Sequence, residues 1–235
     1  MPSLARTLLQ DVFNLFYPNI CVACGDSLIA DEEVVCSGCE IEVPRANFWH
    51  QPENILAQRF WGRVPLSGAS ALYVFKKHDA VQQLIHQLKY KGRKDVGVFI
   101  GKKIGTELLD SRSVIQNVDL ILPVPLHWKK QKTRGYNQCD FIAQGISEAA
   151  KIPYSNSVLE RTEEKVSQTK KKRFDRFGNV SEIFRVVKPE EIKGKHVLLV
   201  DDVVTTGATA EACLQTILKS GAEKISFVAA AMAGR

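Results

Sequence analysis

No stretch of the 235 residues approaches the ~18 consecutive apolar residues that a spanning helix needs, so no membrane span is expected. A secretory leader is not expected either. The apolar part of MPSLARTLLQDVFNLFYP is short and is interrupted by Arg6 and Asp11. These absences lead us to expect a cytoplasmic protein. The chain has no internal repeat and no low-complexity tract, which sets aside solenoids and linker-like chains. Aromatic residues make up only 8% of it, and few of them (Trp128, Tyr136, Phe174 and Phe177) lie beside basic residues, which is thin material for stacking bases.

What is present suits a globular protein. A content of 45% hydrophobic and 25% charged residues supports a sizeable core and excludes a wholly disordered chain. The formal charge is +6, and its excess is local: Lys129 to Arg176 holds 12 basic and 6 acidic residues. Such a stretch suits phosphate, in nucleic acid or in a small ligand, and it equally suits a solvated face.

Four of the six cysteines lie close together, as Cys21-Val-Ala-Cys24 and Cys36-Ser-Gly-Cys39. Two residues between cysteines let one tight turn aim both sulfurs at a common point, and two such turns supply the four thiolates of a tetrahedral Zn²⁺ site. A closed four-sulfur site leaves no position for water, so the zinc would be structural. A pair of redox dithiols is the alternative. Cys139 and Cys213 fall in apolar helical patterns and read as core residues.

Leu4, Leu8, Val12, Leu15 and Phe16 predict an amphipathic helix that Pro18 stops. Residues 1–48 are thus read as this helix plus a small zinc-ribbon-like module, and 49–66 as a linker or irregular cover. From residue 67 onward the pattern alternates. Strands are predicted at 69–75, 118–124, 183–187, 197–200 and 225–231. Helices are predicted after Asp79 (Val81, Leu84, Ile85 and Leu88 on one face), over 96–109, over 137–149, and around Ala210, Cys213, Leu214, Ile217 and Leu218. Residues 160–182 read as a charged loop. Strands alternating with helices predict an α/β protein with a parallel sheet.

The most informative segment is Val197-Leu-Leu-Val-Asp201-Asp202-Val-Val-Thr205-Thr206-Gly207-Ala208-Thr209. An apolar strand ends in two carboxylates, and a small hydroxyl-rich turn then opens a helix. Ligands of open parallel sheets bind at the carboxyl ends of the strands. A turn at a helix N-terminus offers N–H groups and hydroxyls to a phosphate. The turn has no lysine, so it is not the GxxxxGK[ST] nucleotide loop. The paired acids can accept hydrogen bonds from vicinal sugar hydroxyls.

This segment resembles the phosphoribosyl-pyrophosphate (PRPP) motif of type I phosphoribosyltransferases. Leu122-Pro-Val-Pro-Leu-His127, Arg134-Gly-Tyr-Asn-Gln138, Arg161…Gln168…Arg176-Phe-Gly-Asn179, Lys89-Tyr-Lys-Gly92 and the four-cysteine module together resemble the ComF family of competence proteins, in that family's order and over nearly the whole chain. The resemblance implies a type I phosphoribosyltransferase fold over 67–235, a mainly parallel sheet flanked by helices. It implies that Asp201 and Asp202 bind the ribose hydroxyls, and that Thr205, Thr206, Gly207, Ala208 and Thr209 cradle the 5′-phosphate. Pro123, Val124 and Pro125 would form the pyrophosphate loop with Arg134 as a nearby counter-charge. Arg161, Lys165, Lys170–Lys172, Arg173 and Arg176 would belong to a closing catalytic loop.

PRPP, Mg²⁺ bound with it, structural Zn²⁺, and a link to DNA uptake are the implied ligands and partners. Purine salvage enzymes of this fold often carry an acid where Thr205 stands, and threonine cannot serve as that base, so the acceptor stays open. Three functions are carried forward: a phosphoribosyltransferase, a PRPP-binding regulator without turnover, and a single-stranded nucleic-acid-binding protein.

Overall fold

The computed structural model describes residues 19–29, 31–76, 79–162 and 183–234. The expected N-terminal helix and most of the expected catalytic loop, including Lys165, Lys170–Lys172, Arg173 and Arg176, lie outside the described residues.

A four-stranded, all-parallel sheet forms the centre, in the order β1-β6-β5-β2. Its strands are β1 (Gly68–Phe75), β2 (Leu120–Pro123), β5 (His196–Val204) and β6 (Lys224–Ala233). The inner strands β5 and β6 are apolar almost throughout, as a sheet covered on both faces demands. All five expected strands are present, a sixth, β3 (Leu159–Arg161), was not expected, and 183–187 departs from the parallel pattern. There β4 (Phe184–Val186) pairs antiparallel with β3 (Leu159–Arg161) in a separate two-stranded sheet. Periodicity alone cannot say which sheet a short strand joins.

One face of the main sheet is covered by α3 (Ala80–Tyr90), α4 (Lys94–Leu108) and α6 (Gln138–Ala150). Asp79 caps α3 by accepting the Gln82 N–H at 2.9 Å, and Val81, Leu84, Ile85 and Leu88 are buried. Helices α4 and α6 touch backbone to backbone. A Cβ on Gly101 would clash with the Ile142 carbonyl, and one on Gly145 with the Val98 carbonyl. The other face is covered by α7 (Ala208–Lys219) and by residues 49–66. In that connecting segment Asn54 caps the short α2 (Ile55–Gln58), Leu56 and Ala57 are buried, and the Phe60 ring tilts against Phe227 at 5.4 Å.

At the N-terminal end, Cys36 caps α1 (Ser37–Glu42), a helix with no buried residue. A further helix not foreseen from the sequence, α5 (Trp128–Arg134), follows β2. His127 Nδ1 accepts the Lys129 N–H at its start, and left-handed Gly135 (φ 77°) ends it. Among the described residues no helix is long and apolar enough to cross a membrane.

Candidate functional site

The carboxyl ends of β2 and β5 lie side by side. Pro123 is in register with Val200, and the Val124 N–H donates to the Val200 carbonyl at 2.9 Å. The Pro123–Val124–Pro125 turn therefore runs beside Asp201 and Asp202. β5 continues to Val204, and the turn 205–207 leads straight into α7. Gly207 there adopts φ 84° as the residue before the helix, a backbone shape that side chains other than glycine rarely take. The Thr206 hydroxyl accepts the Ala208 N–H at 3.4 Å. The two acids, the proline turn and residues 205–209 are thus all brought to one edge of the sheet.

The acids point to opposite faces of β5. Asp202 faces α3 and α6 and is almost fully buried. Its Oδ2 accepts from Lys89 Nζ at 2.9 Å and from Gln138 Nε2, and its Oδ1 accepts from the Val203 N–H. Asp201 Oδ1 accepts from the Asp202 N–H at 2.8 Å and from the Cys139 thiol at 3.7 Å. Burial, reinforced by the neighbouring Asp202 charge, pushes the Asp201 carboxyl up to about 7. Cys139 and Cys213 are buried as expected for core residues, and burial raises both thiols.

The two expected catalytic arginines are placed apart. Arg134 donates to Gln138 Oε1 at 2.9 Å, so it reaches Asp202 through one amide side chain, and it lies over the Tyr90 ring at 5.1 Å. With Lys89, Lys129 and Lys130 it lines a cavity of ≈ 430 Å³. Arg161 lies over the Phe184 ring at 5.4 Å and lines a different cavity of ≈ 310 Å³, together with Pro123, Pro125 and Trp128. Sequence reasoning missed Gln138 as a contact of the acid, and it missed Asn137, whose Nδ2 holds the Val124 carbonyl at 3.0 Å. Both lie in Arg134-Gly-Tyr-Asn-Gln138, but nothing in the spacing shows that they brace the proline turn and Asp202.

Cys21, Cys24, Cys36 and Cys39 bring their sulfurs within 4.8 Å of one another, and all four are free thiols. The Cys24–Cys36 sulfur separation of 3.7 Å matches the ~3.8 Å edge of a tetrahedron with Zn–S bonds of about 2.3 Å. Burial pushes the Cys21 thiol up, but the N–H groups of Cys36, Cys24 and Ala23 outweigh it and bring it down to about 6. Four cysteine sulfurs in this arrangement fit zinc.

Residues 135–235 match the family model described as "Phosphoribosyl transferase domain". The fold and this match define the class: the chain carries a phosphoribosyltransferase domain on a parallel sheet, behind an N-terminal cysteine cluster. Within that class its relatives are those the sequence resembles. It is 32% identical over 144 residues to the DNA utilization protein YhgH of Escherichia coli O157:H7, covering 60% of this chain and 63% of that protein. It is 24% identical to Competence protein F of Haemophilus influenzae over 89% of this chain and 95% of that protein. It is 25% identical to Competence protein ComFC of Bacillus subtilis over 63% and 58%. Among solved structures, the glutamine PRPP amidotransferase from B. subtilis is similar at 20% identity and a TM-score of 0.44, over 62% of this chain and 30% of that one.

Proposed function

We propose that this protein binds PRPP as its Mg²⁺ complex and transfers the phosphoribosyl group to an acceptor that remains to be identified. The observation that carries the reading is the convergence of an acid pair, a proline turn and a glycine-led helix start on one sheet edge. Asp201 and Asp202 accept from the ribose hydroxyls, and residues 205–209 surround the 5′-phosphate. The backbone of Pro123–Pro125 lies along the diphosphate, with Arg134 and Arg161 supplying positive charge from its two sides. An acceptor lone pair forms a bond to C1 as the C1–O bond breaks, and diphosphate leaves with that electron pair. The chain's part is to fix the ribose and to place cations where negative charge grows. Zinc held by Cys21, Cys24, Cys36 and Cys39 serves structure alone. The competence and DNA-utilization relatives support a place in DNA uptake.

The test is calorimetric titration with Mg²⁺–PRPP of the wild type and of Asp201→Asn/Asp202→Asn. Tight binding that the double substitution abolishes is expected, and unchanged affinity in the variant would overturn the assignment. Pyrophosphate release across pools of candidate acceptors then decides between transfer and binding alone. A second reading, contact with single-stranded nucleic acid, is favoured by the basic helix α5, where exposed Trp128 is stacked with His127 and flanked by Lys129.

A further inference from the structure

The two neighbouring acids of β5 are unequal. Both oxygens of Asp202 are engaged, and its side chain is only 7% exposed. A ribose hydroxyl must therefore compete with Lys89 for Asp202, whereas the Asp202 N–H and the Cys139 thiol both bind Oδ1 of Asp201. Lys89 also belongs to a second environment. It lines the ≈ 430 Å³ cavity with Lys129, Lys130 and Arg134, four cations around one space. The helix end that carries it is pinned. The Tyr136 hydroxyl donates to the Leu88 carbonyl, and Arg134 covers the Tyr90 ring. To leave Asp202 for the cavity, Lys89 needs to turn only its own side chain.

We propose that Lys89 is a positioning residue that links the basic cavity to the ribose acid. With the cavity empty it holds Asp202. A diphosphate that lies along the proline turn and reaches in among these four cations draws it away and leaves Asp202 to the ribose hydroxyls. This rests on the PRPP reading and deepens it, because both groups belong to one substrate. The physical reason is that a partly buried ammonium leaves one anion at low cost only when it gains another. Linkage makes the effect reciprocal: whatever weakens the hold of Asp202 on Lys89 strengthens the cavity for diphosphate.

Calorimetric titration with inorganic pyrophosphate tests the link with no ribose present. Asp202→Asn, which releases Lys89, is expected to bind pyrophosphate about fivefold tighter than wild type or better. At about pH 8.5, where Asp201 is ionised, Asp201→Asn removes the same charge one residue away without touching Lys89, and a change of less than about twofold is expected. Lys89→Met is expected to weaken binding about tenfold. Because that variant leaves Asp202 without its cation, Lys89→Met/Asp202→Asn is measured beside it and must show none of the gain of Asp202→Asn alone. Equal gains in the two single Asp variants, a gain that persists without Lys89, or no pyrophosphate binding to the wild type each overturn the proposal. The PRPP reading is judged apart from this, by the PRPP titration of the double Asp variant.

Discussion

Strand β5 buries a polar side chain near each end, and the two ends treat it differently. At the amino end, His196 is almost fully buried, and neutral or backbone groups satisfy its ring. Its Nδ1–H donates to the Asn117 carbonyl at 3.1 Å, Nε2 accepts from the Ser226 hydroxyl at 2.9 Å, and its backbone N–H reaches Asp119 at 2.8 Å. At the carboxyl end, Asp202 alone of two neighbouring acids holds a lysine, and the pair stands beside a cavity of cations. The amino end even has the larger cavity, ≈ 470 Å³, lined by Ser67, Asn117, Asp119 and His196 among others. The lesson is that cavity size does not mark the site. What separates the ends is whether buried polarity is neutral and matched, which fastens the sheet, or charged and in excess, which awaits a partner.

The sharpest way to break this contrast is to exchange losses between the ends. Asp201→Asn/Asp202→Asn should lower PRPP affinity by about a hundredfold or more, the cost of two charge-assisted contacts, while leaving the circular dichroism spectrum unchanged. His196→Ala should do the reverse. We expect it to cost about 2 kcal/mol in urea unfolding, because it orphans the Ser226 hydroxyl in the core, with PRPP affinity within about twofold. A large affinity loss from His196→Ala would erase the distinction.

Acid–base behaviour gives the next largest contrast, with opposite signs. Asp201 has a folded-state value near 7 against an ordinary 3.8. The unfolded chain therefore sheds this proton first as pH rises, and stability falls between about pH 4 and 7 and is then level. Asp201→Asn should thus stabilise the ligand-free protein at pH 8 by about 1–3 kcal/mol and give no gain at pH 4. His196 is held below its ordinary 6.5 by burial. The unfolded chain takes up that proton first as pH falls, so this end loses stability below about pH 6.5, and His196→Gln should flatten that slope. Thermal unfolding of the wild type and both variants from pH 4 to 8 checks both signs.

Gly207→Ala is expected to have a smaller effect. A Cβ there meets the Phe60 ring at 3.3 Å at a φ of 84°, so about 1 kcal/mol of stability should be lost, with weaker binding of ribose 5-phosphate. The cysteine module stands apart from both ends of β5. α1 itself buries nothing, although Val34, Val35 and Val43 beside it join the core, and a metal would add to what that packing supplies. Elemental analysis should find about one zinc per chain, lost in Cys21→Ser/Cys24→Ser.

Much of this architecture was legible in the sequence. The helices with a repeating apolar face, α3, α4, α6 and α7, declare themselves by period, and the strands of the main sheet by continuous apolar runs. The helix α5 escaped because Trp-Lys-Lys-Gln-Lys-Thr-Arg has no apolar face to repeat; the His127 cap and Gly135 place it instead. The acids, the proline turn and the glycine turn were legible because each lies within one short segment. The grip of Lys89 and Gln138 on Asp202 was not, because it exists only once α3, α6 and β5 have met. Arg134 and Arg161 read alike as cations near a diphosphate, yet the fold gives them separate cavities.

The glycine seam between α4 and α6 has a consequence for anyone who screens variants by activity. Gln138 opens α6, so its reach to Asp202 depends on how closely that helix lies against its neighbour. A single methyl group at Gly101 or Gly145 would clash with the facing backbone, pry the two rods apart and so shift α6. Residues that never meet a ligand would then score as if they did, and a screen of this kind would trace a lever arm before it traced the site.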